Sequence, residues 1–505
     1  MTPAPGVVSG IRCQNTVTHS RGAYSANRVQ AAEVALLARV PVGSLMRRAA
    51  FGLATRTVAM LAGRTGGVSG RHVGLLVGAG NNGGDALWAG AILRRRGVAV
   101  TAVLLHPDRA HPEGLARLRR AGGRIRDELP EHVHVVLDGI VGLAGKGGLR
   151  PAAARHVEAV RAPIIAVDAP SGVDLDTGTA DGPAVTAAET VTFGALKPVH
   201  LLTPWRCGPV HLVDIGLFPE LGEPDLQILT AVEVGARWPV PGPPSDKYNQ
   251  GVLGVAAGSA DYPGAAVLCA GAAVLATSGM VRFAGTAADA VRARWPEVVA
   301  TGSVSDAGRV QAWAVGPGMG TGAAGRQVLE YVLAAGVPVV ADADAITLLA
   351  RHPELADSRD PDTPLVLTPH DGEFERLTGE APGRDRVAAA RRAAARFDAV
   401  LLLKGNTTIV AAPDGRVLVH AARSAWAATA GSGDVLTGVI GKLLAAGLEP
   451  AAAAAAAVQA HDLAATLAGR GVAPTGVGAP APASALQVAL SEAIRTLRWM
   501  AGERG

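Results

Sequence analysis

Short apolar runs alternate with amphipathic segments along most of this chain of 505 residues. Apolar runs of about four to eight residues are typical of buried strands, and apolar residues recurring every three or four positions are typical of helices. Residues 23–66 have the helical spacing alone. Beyond them the pattern predicts strands at 73–77, 98–105, 133–137, 164–167 and 190–193, and helices at 85–96 and 113–122. This alternation predicts a parallel sheet covered by helices.

The same rhythm restarts in the second half of the chain, after a proline-rich segment at 219–247 that we interpret as a linker. A hairpin is predicted between 407–412 and 416–420, and a long helix is predicted to begin at Gly433. A chain of this length exceeds one ordinary core, so we predict an α/β protein with two domains, 23–222 and 246–502. The strands predicted in the second half lie at 253–257, 312–315, 337–341, 365–368 and 399–403.

Composition and charge restrict the classes of partner. Apolar residues make up 49% of the chain and charged residues 18%, which fits a globular protein. The net charge is only +4, and the basic clusters at 94–96 and 391–392 have no interleaved aromatic residues, so we expect no nucleic-acid binding. The uncharged stretch 262–281 is long enough to span a bilayer, but its many small residues favour a buried helix, and we expect no membrane association.

The cysteines Cys13, Cys207 and Cys269 are too far apart to suggest a metal-binding spacing. A reduced, cytoplasmic setting fits this cysteine usage best. The first residues lack the charged and apolar regions of a signal peptide, and residues 1–22 read as a poorly ordered extension.

A glycine-rich segment follows the first predicted strand. Gly78-Ala79-Gly80-Asn81-Asn82-Gly83-Gly84-Asp85 matches G-x-G-x-x-G between a strand and a helix. A conventional dinucleotide-binding dehydrogenase also needs an acidic residue after the next strand, and His106-Pro107 stands there instead. Amides and a carboxylate in such a segment suit ribose hydroxyls, phosphate or a monovalent cation, although a purely structural turn remains possible.

Polar residues also end two later strands of the first half. Asp138 follows Val135-Val136-Leu137, and Asp168 and Ser171 follow Ile164-Ile165-Ala166-Val167. Ligands of parallel sheets bind beyond the carboxyl ends of the strands, so these groups are expected to converge with the glycine-rich segment. A helix-capping role for either aspartate stays open.

The strongest pattern of the second half is Gly431-Ser432-Gly433-Asp434, directly before an apolar helical run. Unpaired amides at a helix N-terminus bind anions, and a carboxylate beside them can act on a substrate hydroxyl. Two further strand ends contribute polar groups, with His370 after Thr368-Pro369 and Lys404 before Gly405-Asn406-Thr407-Thr408. Together these features favour nucleotide chemistry.

Residues 24–220 resemble the YjeF N-terminal family, the NAD(P)H-hydrate epimerases, and their fold is expected to be a Rossmann-like three-layer sandwich. Two positions depart from that family: Ala86 stands where it has glycine, and a longer segment replaces its Gly-Thr-Gly. The resemblance implies K+ bound through oxygen atoms by Asn82, Asp138 and Ser171, and Asp168 as the acid/base group. It implies substrate contacts at Asn81, Asn82, Gly83, Gly84, Asp85 and Asp168, and phosphate contacts at Gly142, Leu143, Ala144, Gly145, Lys146, Gly147 and Gly148.

Residues 246–500 resemble the ADP- or ATP-dependent NAD(P)H-hydrate dehydratases, which have a ribokinase-like three-layer sandwich fold. The pairs Thr368-Pro369-His370 with Glu373, and Lys404 with Thr407-Thr408, favour this family over sugar kinases. The resemblance implies Mg2+ and Asp434 as the catalytic carboxylate. It implies hydrate binding by Ala265, Gly318, His370 and Asp434, and adenine-nucleotide binding by Lys404, Gly405, Asn406, Thr407, Thr408 and Gly433.

Both resemblances together imply a bifunctional repair enzyme that epimerises hydrated NADH and NADPH and dehydrates the S epimer with ADP or ATP. We expect the hydrate and an adenine nucleotide as partners, and a homo-oligomer. Two alternatives remain at this stage. The second half could be a kinase for a hydroxymethyl-pyrimidine or a similar vitamin alcohol, and the first half could be a non-catalytic binding module.

Overall fold

The computed structural model describes residues 22–143, 145, 147–470 and 478–502. It divides into two compact units, residues 1–226 and 227–505. Each unit is built around one parallel or mostly parallel sheet covered by helices. The α/β class and the two-domain organisation predicted from the sequence are therefore confirmed.

The first unit contains a sheet of seven parallel strands in the order β4-β3-β2-β5-β6-β7-β8. This order begins at the centre and moves outward in both directions, as expected for a doubly wound sheet. The strands of the unit are β1 (Gly22–Ala23), β2 (His72–Val77), β3 (Ala99–Leu104), β4 (Arg124–Ile125), β5 (Val135–Gly139), β6 (Ile164–Val167), β7 (Glu189–Phe193) and β8 (Val210–Val213). The helices are α1 (Ala26–Leu37), α2 (Ser44–Thr65), α3 (Asn81–Arg95), α4 (Pro112–Arg120), α5 (Pro151–Ala159), α6 (Pro198–Leu202) and α7 (Pro204–Cys207).

Neighbouring residues of the central strand β2 belong to different apolar clusters. Leu75 packs in a cluster that includes residues of α2 and α3, whereas Leu76 packs in a second cluster with Ala153 and Ala154 of α5. Because successive side chains of a strand point to opposite faces, both faces of this sheet are covered. The first unit is a three-layer sandwich.

The second unit has strands in the order β18-β17-β16-β15-β14-β13-β10-β11-β12. All neighbours in this series are parallel except β16–β17 and β17–β18, which form the predicted antiparallel hairpin. The strands are β9 (Leu226–Gln227), β10 (Val252–Ala256), β11 (Met280–Ala284), β12 (Val299–Thr301), β13 (Ala312–Val315), β14 (Val339–Ala341), β15 (Leu365–Leu367), β16 (Val400–Leu403), β17 (Thr407–Ala411) and β18 (Val417–Ala421). The helices are α8 (Ala231–Arg237), α9 (Pro263–Ala276), α10 (Ala288–Arg294), α11 (Ala323–Leu333), α12 (Asp344–Arg351), α13 (Asp371–Thr378), α14 (Arg386–Phe397), α15 (Ser432–Ala445), α16 (Pro450–Arg470) and α17 (Ala483–Met500).

Helix α15 lies at the centre of the apolar core of the second unit. Eleven consecutive residues, Val435–Ala445, are buried, and the helix packs mainly on α9. Gly438 makes that packing close, since a Cβ there would lie 2.1 Å from the carbonyl oxygen of Cys269. The uncharged stretch 262–281 supplies α9 and the start of β11, and no helix within the described ranges could cross a bilayer.

Two sequence-based predictions need correction. Helix α3 begins at Asn81 rather than Asp85, so the segment predicted as a glycine turn is the first helical turn. The linker predicted at 219–247 contains α8, which begins with a reciprocal capping box between Thr230 and Glu233. The prolines on either side concealed this short helix, although the Thr-x-x-Glu spacing is a recognised helix start.

Candidate active sites

In the first unit the predicted polar groups meet at one edge of the sheet. Asp138 lies near the end of β5, Ser171 follows β6, and α3 starts directly after β2. These three strands are neighbours and parallel, so their carboxyl ends share an edge. The fold therefore brings Asn82, Asp138 and Ser171 together.

Asp138 is fully buried and hydrogen-bonded to Ser171. Its Oδ1 accepts from the Ser171 hydroxyl at 2.7 Å and its Oδ2 from the Ser171 amide at 2.9 Å. A third, longer bond comes from the Ile140 amide at 3.3 Å. All these donors are neutral, and burial raises the pKa of Asp138 to about 6 despite them. A bound cation would relieve that cost.

Asn82 is linked to Ser171 through Val141, whose amide donates to the Ser171 hydroxyl oxygen at 3.0 Å. Its Nδ2 donates to the carbonyl oxygens of Val141 at 3.2 Å and Val167 at 2.6 Å. Its Oδ1 faces Gly142, where a Cβ would lie 2.4 Å away. The carboxylate, hydroxyl and amide oxygens assembled here are hard ligands of the kind an alkali cation prefers, so the donor chemistry fits K+.

Asp168 sits at a strained position after β6, with a φ of 68°. Its Oδ1 accepts hydrogen bonds from the ammonium of Lys197, from the hydroxyl of Thr192 at 2.9 Å and from the amide of Phe193 at 3.3 Å. Positive φ is costly for a residue other than glycine and is often retained at functional sites. In the part of the chain that the structure describes, the hydrogen bonds to the Asp168 side chain all involve Oδ1, which leaves Oδ2 as the oxygen available to a substrate.

His200 is hydrogen-bonded to the main chain of both Lys197 and Asp168. The Lys197 amide donates to Nδ1 of His200 at 2.9 Å, so Nε2 carries the proton that it donates to the main-chain oxygen of Asp168 at 2.8 Å. Burial lowers the pKa of His200 to about 4, which keeps the ring neutral. Burial alone would raise the pKa of Asp168, but Lys197, together with His200 and Thr192, outweighs burial, and the pKa is lowered. Asp168 is therefore held as a carboxylate.

The pKa of Asp85 is shifted in the opposite direction from that of Asp168. Asp85 is 6% exposed, and burial, followed by the charges of Asp168 and Glu33, raises its pKa well above the usual range. The pKa of Glu33 is also raised, first by burial. One edge of the sheet therefore carries an ionised carboxylate, Asp168, beside acids that favour their neutral forms.

Glycines bring the backbone close to this edge. A Cβ at Gly83 would lie 2.4 Å from the Gly78 oxygen, and one at Gly145 would lie 1.8 Å from a Val141 methyl group. Close packing against the backbone, rather than positive φ, therefore requires glycine at position 83, whereas a side chain at position 145 would require Val141 to move. In the predicted phosphate segment, Gly147 has a positive φ of 77°, and Ala144 and Lys146 lie outside the described residues.

Thr192, Lys197, His200 and Glu33 were not recognised as site residues from the sequence. The available signal was Lys197, a single cation between Ala195-Leu196 and Pro198-Val199 in an otherwise apolar run. A buried lysine needs a partner, but the sequence does not identify that partner.

In the second unit, α15 starts at the predicted anion-binding segment. Gly431 adopts the left-handed conformation at the N-cap, and Asp434 lies in the first turn. A Cβ on Gly433 would lie 3.7 Å from Nζ of Lys404 and 3.6 Å from Oδ2 of Asp342. The Lys404 segment and the helix start, which the sequence places thirty residues apart, are thus adjacent.

Lys404 is held by two carboxylates. Its Nζ lies 2.8 Å from Asp342 Oδ1 and 3.4 Å from Glu373 Oε2. The other oxygen of Asp342 accepts from the Thr437 hydroxyl of α15 at 2.8 Å. This network fixes the ammonium beside the first turn of α15. The sequence analysis assigned no role to Asp342 or Thr437, because their pairing spans 95 residues.

The pKa of Asp434 is raised towards neutral pH. Burial raises its pKa to about 6, the negative charge of Asp342 adds to the rise, and Lys404 opposes it. A carboxylate with this pKa can accept a proton from a hydroxyl and release it again near pH 7.

The other predicted residues of this unit form two groups. His370 caps α13 by accepting from the Gly372 amide at 3.0 Å, and the Glu373 side chain accepts in return from the His370 amide at 2.9 Å. Since Glu373 also contacts Lys404, His370 belongs to the Lys404 group. Ala265 and Gly318 form the second group, where a Cβ on Gly318 would lie 3.0 Å from that of Ala265.

Comparisons with known proteins agree with the division of the chain into two units. The family model for NAD(P)H-hydrate dehydratase matches residues 253–481, and the model for the YjeF-related protein N-terminus matches residues 42–199. The bifunctional NAD(P)H-hydrate repair enzyme Nnr of Mycobacterium tuberculosis is 57% identical over 435 residues, covering 86% of this chain and 91% of its own. The Escherichia coli enzyme of the same name is 34% identical, covering 78% and 80%.

A crystal structure of the ADP/ATP-dependent NAD(P)H-hydrate dehydratase from Bacillus subtilis aligns with 54% of this chain and 98% of its own, at 28% identity and a TM-score of 0.47. The chain belongs to the family of bifunctional NAD(P)H-hydrate repair enzymes. It is an enzyme with an epimerase and a dehydratase domain, and the two alternatives of a vitamin-alcohol kinase and a non-catalytic binding module are not supported.

Proposed function

We propose that residues 23–222 carry the epimerase and residues 246–502 the dehydratase, which consumes ADP or ATP with Mg2+. The observation that carries this proposal is the position of Asp434 in the first turn of α15, beside an ammonium fixed by Asp342 and Glu373. Within the described residues no group of three or more His, Cys, Asp or Glu could hold a metal ion. Mg2+ would be bound mainly through the nucleotide phosphates.

In the proposed dehydration, Asp434 accepts the proton of the C6 hydroxyl as that oxygen attacks the terminal phosphoryl group of the nucleotide. The bond from that phosphorus to its bridging oxygen breaks, which releases AMP from ADP or ADP from ATP. Amides at Ala430–Gly433 and the Lys404 ammonium stabilise the negative charge on the transferring group. The C6–O bond then breaks, phosphate leaves, and a proton lost from C5 restores the dihydropyridine ring. The hydrate would contact Ala265, Gly318, His370 and Asp434, and the nucleotide would contact Lys404–Thr408 and Gly433.

For the epimerase, Asp168 is proposed as the acid/base group, acting through Oδ2 while Oδ1 remains bound to Lys197 and Thr192. Its lowered pKa keeps it ionised at neutral pH, which is the form that can accept a proton. The segments Asn81–Asp85 and Gly142–Gly148 would hold the dinucleotide, the latter at its phosphates. Asn82, Asp138 and Ser171 would hold K+, whose charge would stabilise the ionised Asp138. We also propose that the enzyme is a homo-oligomer.

The test is the substitution Asp434→Asn in the full chain, which keeps size and removes the proton acceptor. Mixed hydrate epimers are incubated with ADP and Mg2+, and recovery of the reduced-nicotinamide absorbance is followed. We expect dehydration to be abolished and exchange between R and S epimers, measured by NMR, to be unchanged. Equal loss of both activities would contradict the assignment of separate sites.

A further inference from the structure

A buried ionic cluster lies beside the dehydratase site, outside the residues assigned above. Asp462 of α16 is 4% exposed. Its Oδ2 accepts from Nη1 of Arg423 at 2.6 Å and lies 2.9 Å from Nε2 of His420, and its Oδ1 accepts from the Arg423 amide at 3.0 Å. Both carboxylate oxygens are therefore occupied by charged or main-chain donors, the strongest class of hydrogen bond.

This cluster holds the connection between β18 and α15, residues 422–431, which we call the entry loop. Arg423 is near the beginning of the entry loop, and its main chain is fixed directly by Asp462. One turn further along α16, the hydroxyl of Thr466 lies 3.3 Å from that of Ser424. The face of α16 that carries Asp462 and Thr466 thus fixes the first part of the loop.

The same helix also contacts the other end of the entry loop. Nε2 of His461, next to Asp462, lies 2.9 Å from the carbonyl oxygen of Ser432, the first residue of α15. The Ser432 hydroxyl in turn donates to the Ala427 oxygen at 2.7 Å. Helix α16 therefore determines where the loop leaves the sheet and where α15 begins.

The entry loop is also tied to the other proposed nucleotide-binding segment. The Ala422 amide donates to the Asn406 oxygen at 2.9 Å, and His420 pairs with Thr408 across the β17–β18 ladder. Asp462 thus contacts residues joined on one side to Lys404–Thr408 and on the other to the first turn of α15.

We propose that Asp462 is a positioning residue for dehydration, which anchors the entry loop through Arg423 and His420 and so sets the distance between the amides of α15 and the Lys404 segment. This inference rests on the proposed function of Asp434 and Lys404. Donors that stabilise a transferring phosphoryl group act only at the correct distance, and misplacement by about 1 Å can cost about a hundredfold in rate.

The experiment compares Asp462→Asn with Asp414→Asn in the full-length enzyme. Asp414 is a matched control, because it also pairs with an arginine, Arg416, but is about half exposed on the hairpin turn. For each variant we measure kcat for dehydration, the dissociation constant of ADP without hydrate, the number of ADP molecules bound per chain, and R-to-S exchange.

For Asp462→Asn we expect kcat to fall about tenfold to a hundredfold, with the ADP dissociation constant changed less than kcat. ADP stoichiometry and R-to-S exchange are expected to match the unsubstituted enzyme, which separates misplacement from loss of folded protein. Asp414→Asn is expected to leave all four quantities unchanged. Unchanged kcat in Asp462→Asn, or a fall in kcat matched by the fall in ADP stoichiometry, overturns the proposal.

Two further variants complete the design. If Asp462→Asn does not fold, Arg423→Lys, at a side chain 22% exposed, carries the same test with the same expected fall in kcat, and unchanged kcat there overturns the inference. Asp434→Asn is assayed in parallel. Full dehydration by Asp434→Asn would refute the proposed function, whereas unchanged kcat in Asp462→Asn beside an inactive Asp434→Asn would refute the positioning role alone.

Discussion

At the scale of single residues, the two proposed catalytic carboxylates have different electrostatic surroundings. Asp168 faces a buried ammonium and its pKa is lowered. Asp434 lies near another carboxylate, Asp342, as well as the Lys404 ammonium, and its pKa is raised to about 6. The epimerase should therefore keep its base ionised in acid, whereas the dehydratase should lose its base near pH 6.

Substituting Lys197 tests the source of the low pKa of Asp168. Lys197→Met removes the attraction and leaves the effect of burial, so the pKa of Asp168 should rise. We expect epimerisation to be slower. As the pH is lowered, its rate should begin to fall at a higher pH than in the unsubstituted enzyme. Leaving a buried charge unpaired should also destabilise the first unit by about 3–5 kcal/mol. The measurements are R-to-S exchange against pH and denaturant unfolding.

The matched control for this prediction is Lys247→Met, since Lys247 is an exposed lysine. It should leave the pH dependence of exchange and the stability unchanged. An identical pH dependence of exchange in Lys197→Met and the unsubstituted enzyme would show that Lys197 does not govern the ionisation of Asp168.

Substituting Asp342 tests the raised pKa of Asp434 in the same way. Dehydration requires the ionised form, so kcat/KM should fall as the pH drops through about 6. Asp342→Asn removes a nearby negative charge, the pKa of Asp434 should fall, and the decline should move to lower pH. The measurement is kcat/KM between pH 5 and pH 8. The exposed Asp371→Asn serves as the control, and a decline that moves to higher pH would contradict the prediction.

Residues at strand ends could be predicted from the sequence because parallel strands deliver their carboxyl ends to a common edge. Asn82, Asp138 and Ser171 meet as this rule requires. The partners of Asp168 and Lys404 could not be predicted, because each pairing depends on which neighbouring loop reaches the same edge. Lys197 is 29 residues from Asp168, and Asp342 is 62 residues from Lys404, and no local pattern records either contact.

At the scale of elements, α15 combines a catalytic first turn with an unusual buried cation. Lys442 is completely buried. Its Nζ donates to the carbonyl oxygens of Gly251 at 2.6 Å and Met280 at 3.4 Å. These neutral acceptors do not replace full hydration, and burial lowers the pKa of Lys442 from 10.5 to about 8. The charged ammonium therefore costs stability at neutral pH.

This cost predicts a pH dependence of stability. Between about pH 8 and pH 10.5 the unfolded chain holds the Lys442 proton and the folded chain has lost it, so the free energy of unfolding should rise with pH. The full contribution is about 3 kcal/mol. It is absent from Lys442→Met, so the difference in unfolding free energy between enzyme and variant should change by about 2.5 kcal/mol between pH 7 and pH 10. A difference independent of pH would contradict the lowered pKa.

Strands with continuous apolar runs were predicted within a few residues, whereas the first turn of α3 was predicted as a glycine turn and α8 as part of a linker. In α3, Gly83 and Gly84 suggested a turn, but they occupy helical positions where packing against Gly78 and Met46 leaves no room for a Cβ. In α8, only seven residues separate flanking loops rich in proline. Tertiary packing overrides the low helix propensity of the two glycines in α3, whereas in α8 the flanking prolines concealed a local helix start.

At the scale of the whole molecule, the stability of each unit is predicted to depend on contacts inside that unit. Helix α8 illustrates this for residues 227–505. Val234 and the adjoining Trp238 are 2% and 4% exposed and belong to the core of that unit. A Cβ on Gly235 would lie 2.0 Å from the Leu497 oxygen, so α8 packs directly on α17. A dehydratase fragment beginning at residue 246 would lack this helix.

Trp238→Ala in the full chain should therefore destabilise the dehydratase by about 3–5 kcal/mol. Its indole packs in the core and donates to the Ala276 oxygen at 2.9 Å, so truncation leaves both a cavity and an unpaired acceptor. Loss of dehydration should occur at lower denaturant concentration, and loss of R-to-S exchange should keep its midpoint. Val240→Ala, at a side chain 44% exposed, should change neither midpoint. If both midpoints moved together in Trp238→Ala, the two units would unfold as one cooperative body, and the separation of their stabilities would be refuted.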